Sequence, residues 1–193
     1  MILVASSIRL PGSSSIQNPA SSPVLNTSIM NRSLILFVSI FIFSISHAQT
    51  VKKIKIEDLE SYVKNSDHPL VLSFWATWCG PCVREIPWIE EAVKKRSDKH
   101  VEFILVSLDF PEAFPKKVSE FVKQKNFGAT HYWLDETNAD HFCPKIDPKW
   151  EGGIPATLFV NNKTGYHKFF QRQLTDRQAE QEVELLVAGA NVK

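Results

Sequence analysis

Cysteine is scarce in this chain: Cys79, Cys82 and Cys143 are the only three in 193 residues. Three cannot all pair within one chain, and two of them stand only three positions apart, so the disulfide framework of a small secreted domain is excluded. An excess of one charge is also missing. Lysine plus arginine number 22 against 21 aspartate plus glutamate, which leaves no basic field to hold nucleic acid. The only methionines are Met1 and Met30, ahead of the domain proper, so the domain has no soft thioether ligands of the kind a metal carrier would add. The six histidines are scattered and form no metal-ligand pair, and neither a metal nor any other cofactor is expected.

Long apolar runs are nearly absent as well. The longest, Leu34 to Ile45, has about 12 residues, short of the roughly 20 that span a bilayer, which argues against an uncleaved membrane anchor. Arg32 precedes it and Ser46-His47-Ala48 follows it. A basic start, a short apolar stretch and small residues at the end predict a signal peptide cleaved after Ala48. Residues 1–48 are then an N-terminal extension and signal, residues 49–193 form one domain, and the protein is periplasmic or otherwise exported. The first 29 residues are rich in Ser, Pro and Asn without period, and Met30 begins a better-proportioned signal than Met1. No cysteine follows the run directly, so a lipoprotein is excluded.

What the chain does have is Ser73-Phe74-Trp75-Ala76-Thr77-Trp78-Cys79-Gly80-Pro81-Cys82, a β-rich run that ends in a dithiol and leads into a helical pattern. Unpaired N–H groups and the positive dipole end of a helix start stabilise a thiolate, so Cys79, expected to be partly exposed, becomes a nucleophile near neutral pH. Cys82, one turn further in, is expected to be the buried resolving thiol. The loop they close is too small to stabilise much by chain entropy, yet the bond can be opened and remade. Gly80 lets the chain turn without a clash, and Pro81 presets a helical φ where no N–H donor is needed.

The 44% hydrophobic content supports a sizeable core. Apolar periodicity predicts a helix around Leu59, Tyr62 and Val63, a strand at 70–75 buried on both faces, and a helix from near Cys79 carrying Ile86, Ile89 and Val93. A second buried strand covers 101–108, a helix 116–126 and a short strand 131–134. A hairpin follows, with strands at 157–160 and 166–170 joined through Asn161-Asn162-Lys163-Thr164-Gly165, and then a last helix from about Asp176 with Thr175 as N-cap. The strand–helix–strand unit makes parallel neighbours.

The segment from Phe74 to Cys82, with Glu85 and Pro87 at their spacing behind it, resembles the active-site segment of the thioredoxin superfamily. With the export signal and an insertion of about 25 residues before Pro155, judged against usual loop lengths, it is similar to the TlpA and ResA type of exported thiol–disulfide oxidoreductase. The resemblance covers roughly 70–187. It implies an α/β, thioredoxin-like fold: a mixed central sheet flanked by helices, with an α/β insertion before a cis-proline. That proline is Pro155, with Ile154 presenting its backbone to an extended substrate, and Gly152 and Gly153 allowing the sharp approach. Trp78, Gly80 and Pro81 complete the substrate-binding rim, and Glu85, one turn after Cys82, is implied to relay its proton, the alternative being a solvated helix charge.

Ser73 stands where cytosolic thioredoxins carry a buried aspartate, and Leu105 stands near the position of its lysine partner. Proton handling therefore rests on Glu85 or on water. Pro87 matches a helix-kinking proline, and Cys143 reads as a buried, inert thiol, the alternatives being a bond to another protein or modulation of the active site. The implied partners are disulfide-containing client proteins and a membrane thiol electron donor, with the protein a monomer. Clients are left open between an apocytochrome, a copper-assembly protein and general periplasmic proteins. The implied direction is reductive, since Gly80-Pro81 and Ile154 match the reducing thioredoxins.

Four other readings compete. Half of a zinc site would need a second ligand pair, for which only His141-Phe142-Cys143 offers itself. Peroxide reduction could use one reactive cysteine, but the adjacent resolving thiol favours exchange with protein disulfides. A binding or holdase module without redox turnover is opposed by the intact dithiol. A metal chaperone is opposed by the methionine count.

Overall fold

A strand with apolar side chains on both faces has to be covered on both sides, and Leu70–Trp75 is buried at all six residues, Ser73 included. The computed structural model describes residues 50–189; the expected signal peptide and its cleavage point after Ala48 lie outside them. The elements are β1 (Lys52–Ile54), α1 (Ile56–Asn65), β2 (Leu70–Trp75), α2 (Gly80–Lys95), β3 (Glu102–Ser107), α3 (Lys116–Lys125), β4 (Thr130–Leu134), α4 (Ala139–Ile146), β5 (Ala156–Asn161), β6 (Tyr166–Phe170) and α5 (Asp176–Ala188). The strands form one mixed sheet in the order β1-β4-β3-β2-β5-β6. β1, β4, β3 and β2 run parallel, β5 pairs antiparallel with β2, and β6 pairs antiparallel with β5.

The pleat of β2 divides its side chains between two cores. Val71 and Trp75 pack with Ile86 and Ile89 of α2 and with Ala179, Val183 and Leu186 of α5. Leu70, Leu72 and Phe74 point the other way, onto Ile56 and Leu59 of α1 and Phe142 and Ile146 of α4. Each large aliphatic side chain so buried stabilises the fold by about 1.5–3 kcal/mol. The expected hairpin and last helix are both present. Thr175 caps α5, accepting from the Gln178 N–H at 3.2 Å while Gln178 Oε1 accepts from the Thr175 N–H at 3.1 Å.

Two elements depart from the expectation. β1 has three residues and draws its register from β4, too short for period alone to mark. α4 buries Phe142, Cys143 and Ile146 at helical spacing, but Pro144 sits inside it and hides the pattern; Asn138 caps it, accepting from the Asp140 N–H at 3.1 Å. The insertion between β3 and Pro155 thus holds α3, β4 and α4, and β4 extends the parallel side of the sheet. A second cis peptide, Phe114-Pro115, was not expected.

Candidate active site

The central strand delivers the dithiol. β2 ends at Trp75, and the Cys79 N–H donates to Ala76 O at 3.0 Å, so residues 76–79 make one tight turn. Cys79 is the N-cap of α2, with φ −85° and ψ 91°. Its Sγ accepts from the Cys82 N–H at 3.3 Å, the place where a capping oxygen normally sits. Pro81 lies in the first turn of α2. Cys79 and Cys82 are joined in a disulfide with their Cα atoms 5.3 Å apart.

Cys82 is fully buried, as expected, but Cys79 is only 5% exposed. The expectation of a partly exposed Cys79 is corrected: its sulfur turns back over the helix start toward Cys82 and joins the α2-side core. Trp75 belongs to that same core, whereas Trp78 is 57% exposed beside the dithiol.

Glu85 is no solvated helix charge; it is completely buried. Oε2 accepts from the Leu174 N–H at 2.7 Å, and Thr157 Oγ1 lies 3.5 Å from both Glu85 Oε1 and Ser73 Oγ. Burial pushes the carboxyl from its ordinary 4.5 up to about 7, against the opposing pull of the Leu174 and Thr157 hydrogen bonds and of Arg172. Glu85 is thus poised to hold or lose a proton near neutral pH, one helical turn beyond Cys82. Ser73 is buried and paired in register with Leu105, so no lysine–aspartate pair occupies this part of the sheet.

The Ile154-Pro155 peptide is cis. Because Ala156 pairs with Phe74 in the antiparallel β2–β5 ladder, Pro155 comes level with the end of β2, where the dithiol loop begins. Gly152 has φ +87°, a conformation costly for any other residue, and the Trp150 indole donates to Gly153 O at 3.0 Å. Ile154, Trp78, Phe110 and Phe142 line a groove of about 190 Å³ at this edge. Gly80 and Pro81 stand at the start of α2 as expected.

Asp109 lacked an expected role, although an acidic residue two positions beyond an apolar strand is a visible signal. It is 4% exposed and takes three donors: the Thr77 N–H at 2.9 Å, Thr77 Oγ1 at 2.6 Å and Ser107 Oγ at 2.8 Å. Cys143 lies apart from the dithiol in the other core, and burial pushes its thiol up to about 11. Among the described residues no three His, Cys, Asp or Glu side chains gather as metal ligands.

Comparison with known proteins adds a lineage. The AhpC/TSA family model matches residues 43–164. Thiol-disulfide oxidoreductase ResA of Oceanobacillus iheyensis is 31% identical over 130 residues, 65% of this chain and 62% of the relative. Thioredoxin of Haemophilus influenzae is 41% identical over 58 residues, 30% of this chain and 53% of the relative. The chain therefore spans 62% and 53% of the length of these curated relatives, less than two thirds of either. Among solved structures, a thioredoxin-related protein from Neisseria meningitidis serogroup B superposes with a TM-score of 0.54 at 22% identity, covering 64% of this chain and 87% of that one. That likeness shows a thioredoxin-like fold.

Proposed function

Because this chain belongs to the AhpC/TSA family, we propose that it is an exported thiol–disulfide oxidoreductase that reduces protein disulfides through Cys79 and Cys82. The observation that carries the reading is the seat of Cys79 Sγ at the N-cap of α2, accepting from the Cys82 N–H and bonded to Cys82 Sγ. In the reduced protein the same N–H and helix end stabilise a Cys79 thiolate. The thiolate attacks a client disulfide, one client sulfur leaves as thiolate and takes a proton, and a mixed disulfide forms. Cys82 then gives its proton to Glu85 and attacks Cys79 Sγ. The second client sulfur departs and is protonated, leaving a reduced client and the Cys79–Cys82 disulfide.

Trp78, Gly80, Pro81, Ile154 and Pro155 form the surface on which the client segment lies, with the Ile154 backbone pairing it as an added strand. Clients are disulfide-containing proteins, and a membrane thiol carrier returns the two electrons. The protein acts as a monomer in the periplasm or another exported compartment after cleavage near Ala48, with residues 49–193 as its domain.

Trapping tests the reading. Cys82→Ala, expressed in the native host, should accumulate client proteins disulfide-linked to Cys79. If no mixed disulfide forms, the protein is a binding module that does not turn over.

A further inference from the structure

β2 and β3 part company at the dithiol. Their ladder ends with the Leu108 N–H donating to Trp75 O at 2.8 Å. Beyond it one chain runs through Ala76-Thr77-Trp78 to Cys79 and the other through Asp109 and Phe110. The Asp109 carboxylate ties the two loops together. Oδ2 takes the Thr77 N–H and Ser107 Oγ, and Oδ1 takes Thr77 Oγ1. Asp109 is held in turn: its N–H donates to Ser107 Oγ at 3.1 Å, and its carbonyl accepts from the buried Trp133 indole of β4 at 2.8 Å.

We infer that Asp109 is a positioning residue for Cys79, acting by clamping Thr77. This rests on the proposed reading of the dithiol as the reactive centre. Thr77 lies inside the tight turn from Ala76 to Cys79, and fixing both its N–H and its hydroxyl leaves that turn little freedom. The turn sets the backbone of Cys79, and that backbone aims Sγ at the Cys82 N–H. The three bonds, at 2.9, 2.6 and 2.8 Å, lie within the range of well-formed hydrogen bonds and fix the turn by their geometry. Burying a carboxylate is costly unless its acceptors are filled, and here three donors fill them. The neighbour on each side of the clamp is an exposed aromatic, Trp78 and Phe110, whose rings stack at 6.5 Å. The clamp thereby also sets one wall of the groove beside Ile154.

The distinguishing property of a clamp is that shape matters and charge does not. Asp109→Asn can keep the shape: its amide oxygen takes the two donors of Oδ2, and its NH2 donates to Thr77 Oγ1, a hydroxyl able to accept. Asp109→Ala keeps nothing, and Thr77→Val removes only the hydroxyl arm. The three variants and the unaltered protein, reduced and in the form the host produces, are compared by the pH profile of Cys79 alkylation with iodoacetamide. Exchange with oxidised glutathione gives a second rate, and circular dichroism reports the fold.

Asp109→Ala is expected to exchange about tenfold or more slowly, a loss typical of misplaced reacting atoms, with the Cys79 profile moved to higher pH. Asp109→Asn should stay within about threefold of the unaltered protein, and Thr77→Val should fall between. A folded Asp109→Ala with unaltered rate and profile would overturn the inference. So would Asp109→Asn falling as far as Asp109→Ala, because charge and not position would then be at work. If Asp109→Ala does not fold, Thr77→Val decides: an unchanged rate and profile refutes the clamp. Failure of the unaltered protein to exchange at all would instead refute the redox reading on which the inference rests.

Discussion

Replacing Glu85 with glutamine separates the energetic cost of the buried carboxyl from its use. The carboxyl holds its proton to about pH 7 in the folded protein against an ordinary 4.5. Below 4.5 both states are protonated and the group has no effect on stability. Between 4.5 and about 7 the unfolded chain ionises while the folded protein keeps its proton, so stability falls as pH rises. Each pH unit across that span costs about 1.4 kcal/mol, so the whole span amounts to about 3 kcal/mol, above which the loss is complete. Glutamine carries no such proton, and its amide can still accept from the Leu174 N–H and reach Thr157 Oγ1. Urea unfolding of the disulfide form, extrapolated to water at a series of pH values, measures the difference. The Glu85→Gln protein should gain on the unaltered one by about 3 kcal/mol between pH 4.5 and about pH 8. Parallel curves would refute the reasoning, since any effect of packing alone would be a constant offset. In turnover, the same variant should hold mixed disulfides longer at neutral pH, because Cys82 has lost its proton acceptor.

His131 gives the opposite slope. It is buried in β4, Nε2 contacts Phe127 O at 3.0 Å and Nδ1 has no partner; burial lowers its pKa from 6.5. The unfolded chain therefore takes up a proton first as pH falls below 6.5, and the protein should lose stability there relative to His131→Phe, as acid-side urea unfolding will show. Cys143, with its thiol pushed up to about 11, should resist alkylation at about pH 8 in the folded protein and react on denaturation. Cys143→Ala should leave turnover near normal, and a loss of turnover would mean that two cysteines do not suffice. Equilibration with a glutathione buffer should place the dithiol nearer the thioredoxin value of about −270 mV than the oxidising value of about −120 mV; a potential above about −170 mV would reverse the proposed direction.

Much of this protein is determined by local sequence. The apolar run of β2 has the length of a strand buried on both faces, and the helix behind Cys79 shows in the spacing of Ile86 and Ile89. The dithiol therefore reads from sequence as a pair at a helix start, because strand and helix periods and the Gly80-Pro81 turn are properties of neighbouring residues. The hairpin and the Thr175 cap are legible for the same reason.

What tertiary structure alone decided concerns residues whose partners lie far along the chain. Glu85 is charged at a helical spacing that fits either solvent or core, and only the return of Leu174 and Thr157 from the C-terminal half buries it and holds its proton near neutral pH. Asp109 takes its role from Thr77, 32 positions earlier, and β1 takes its existence from β4. Cys79 is less exposed than its place at a helix start suggests, because its sulfur is drawn onto Cys82 and into the core. Hydrogen bonds and burial act through space, so a local pattern can specify an element and its reactive atoms while the pKa and aim of those atoms are set by whatever the fold brings beside them.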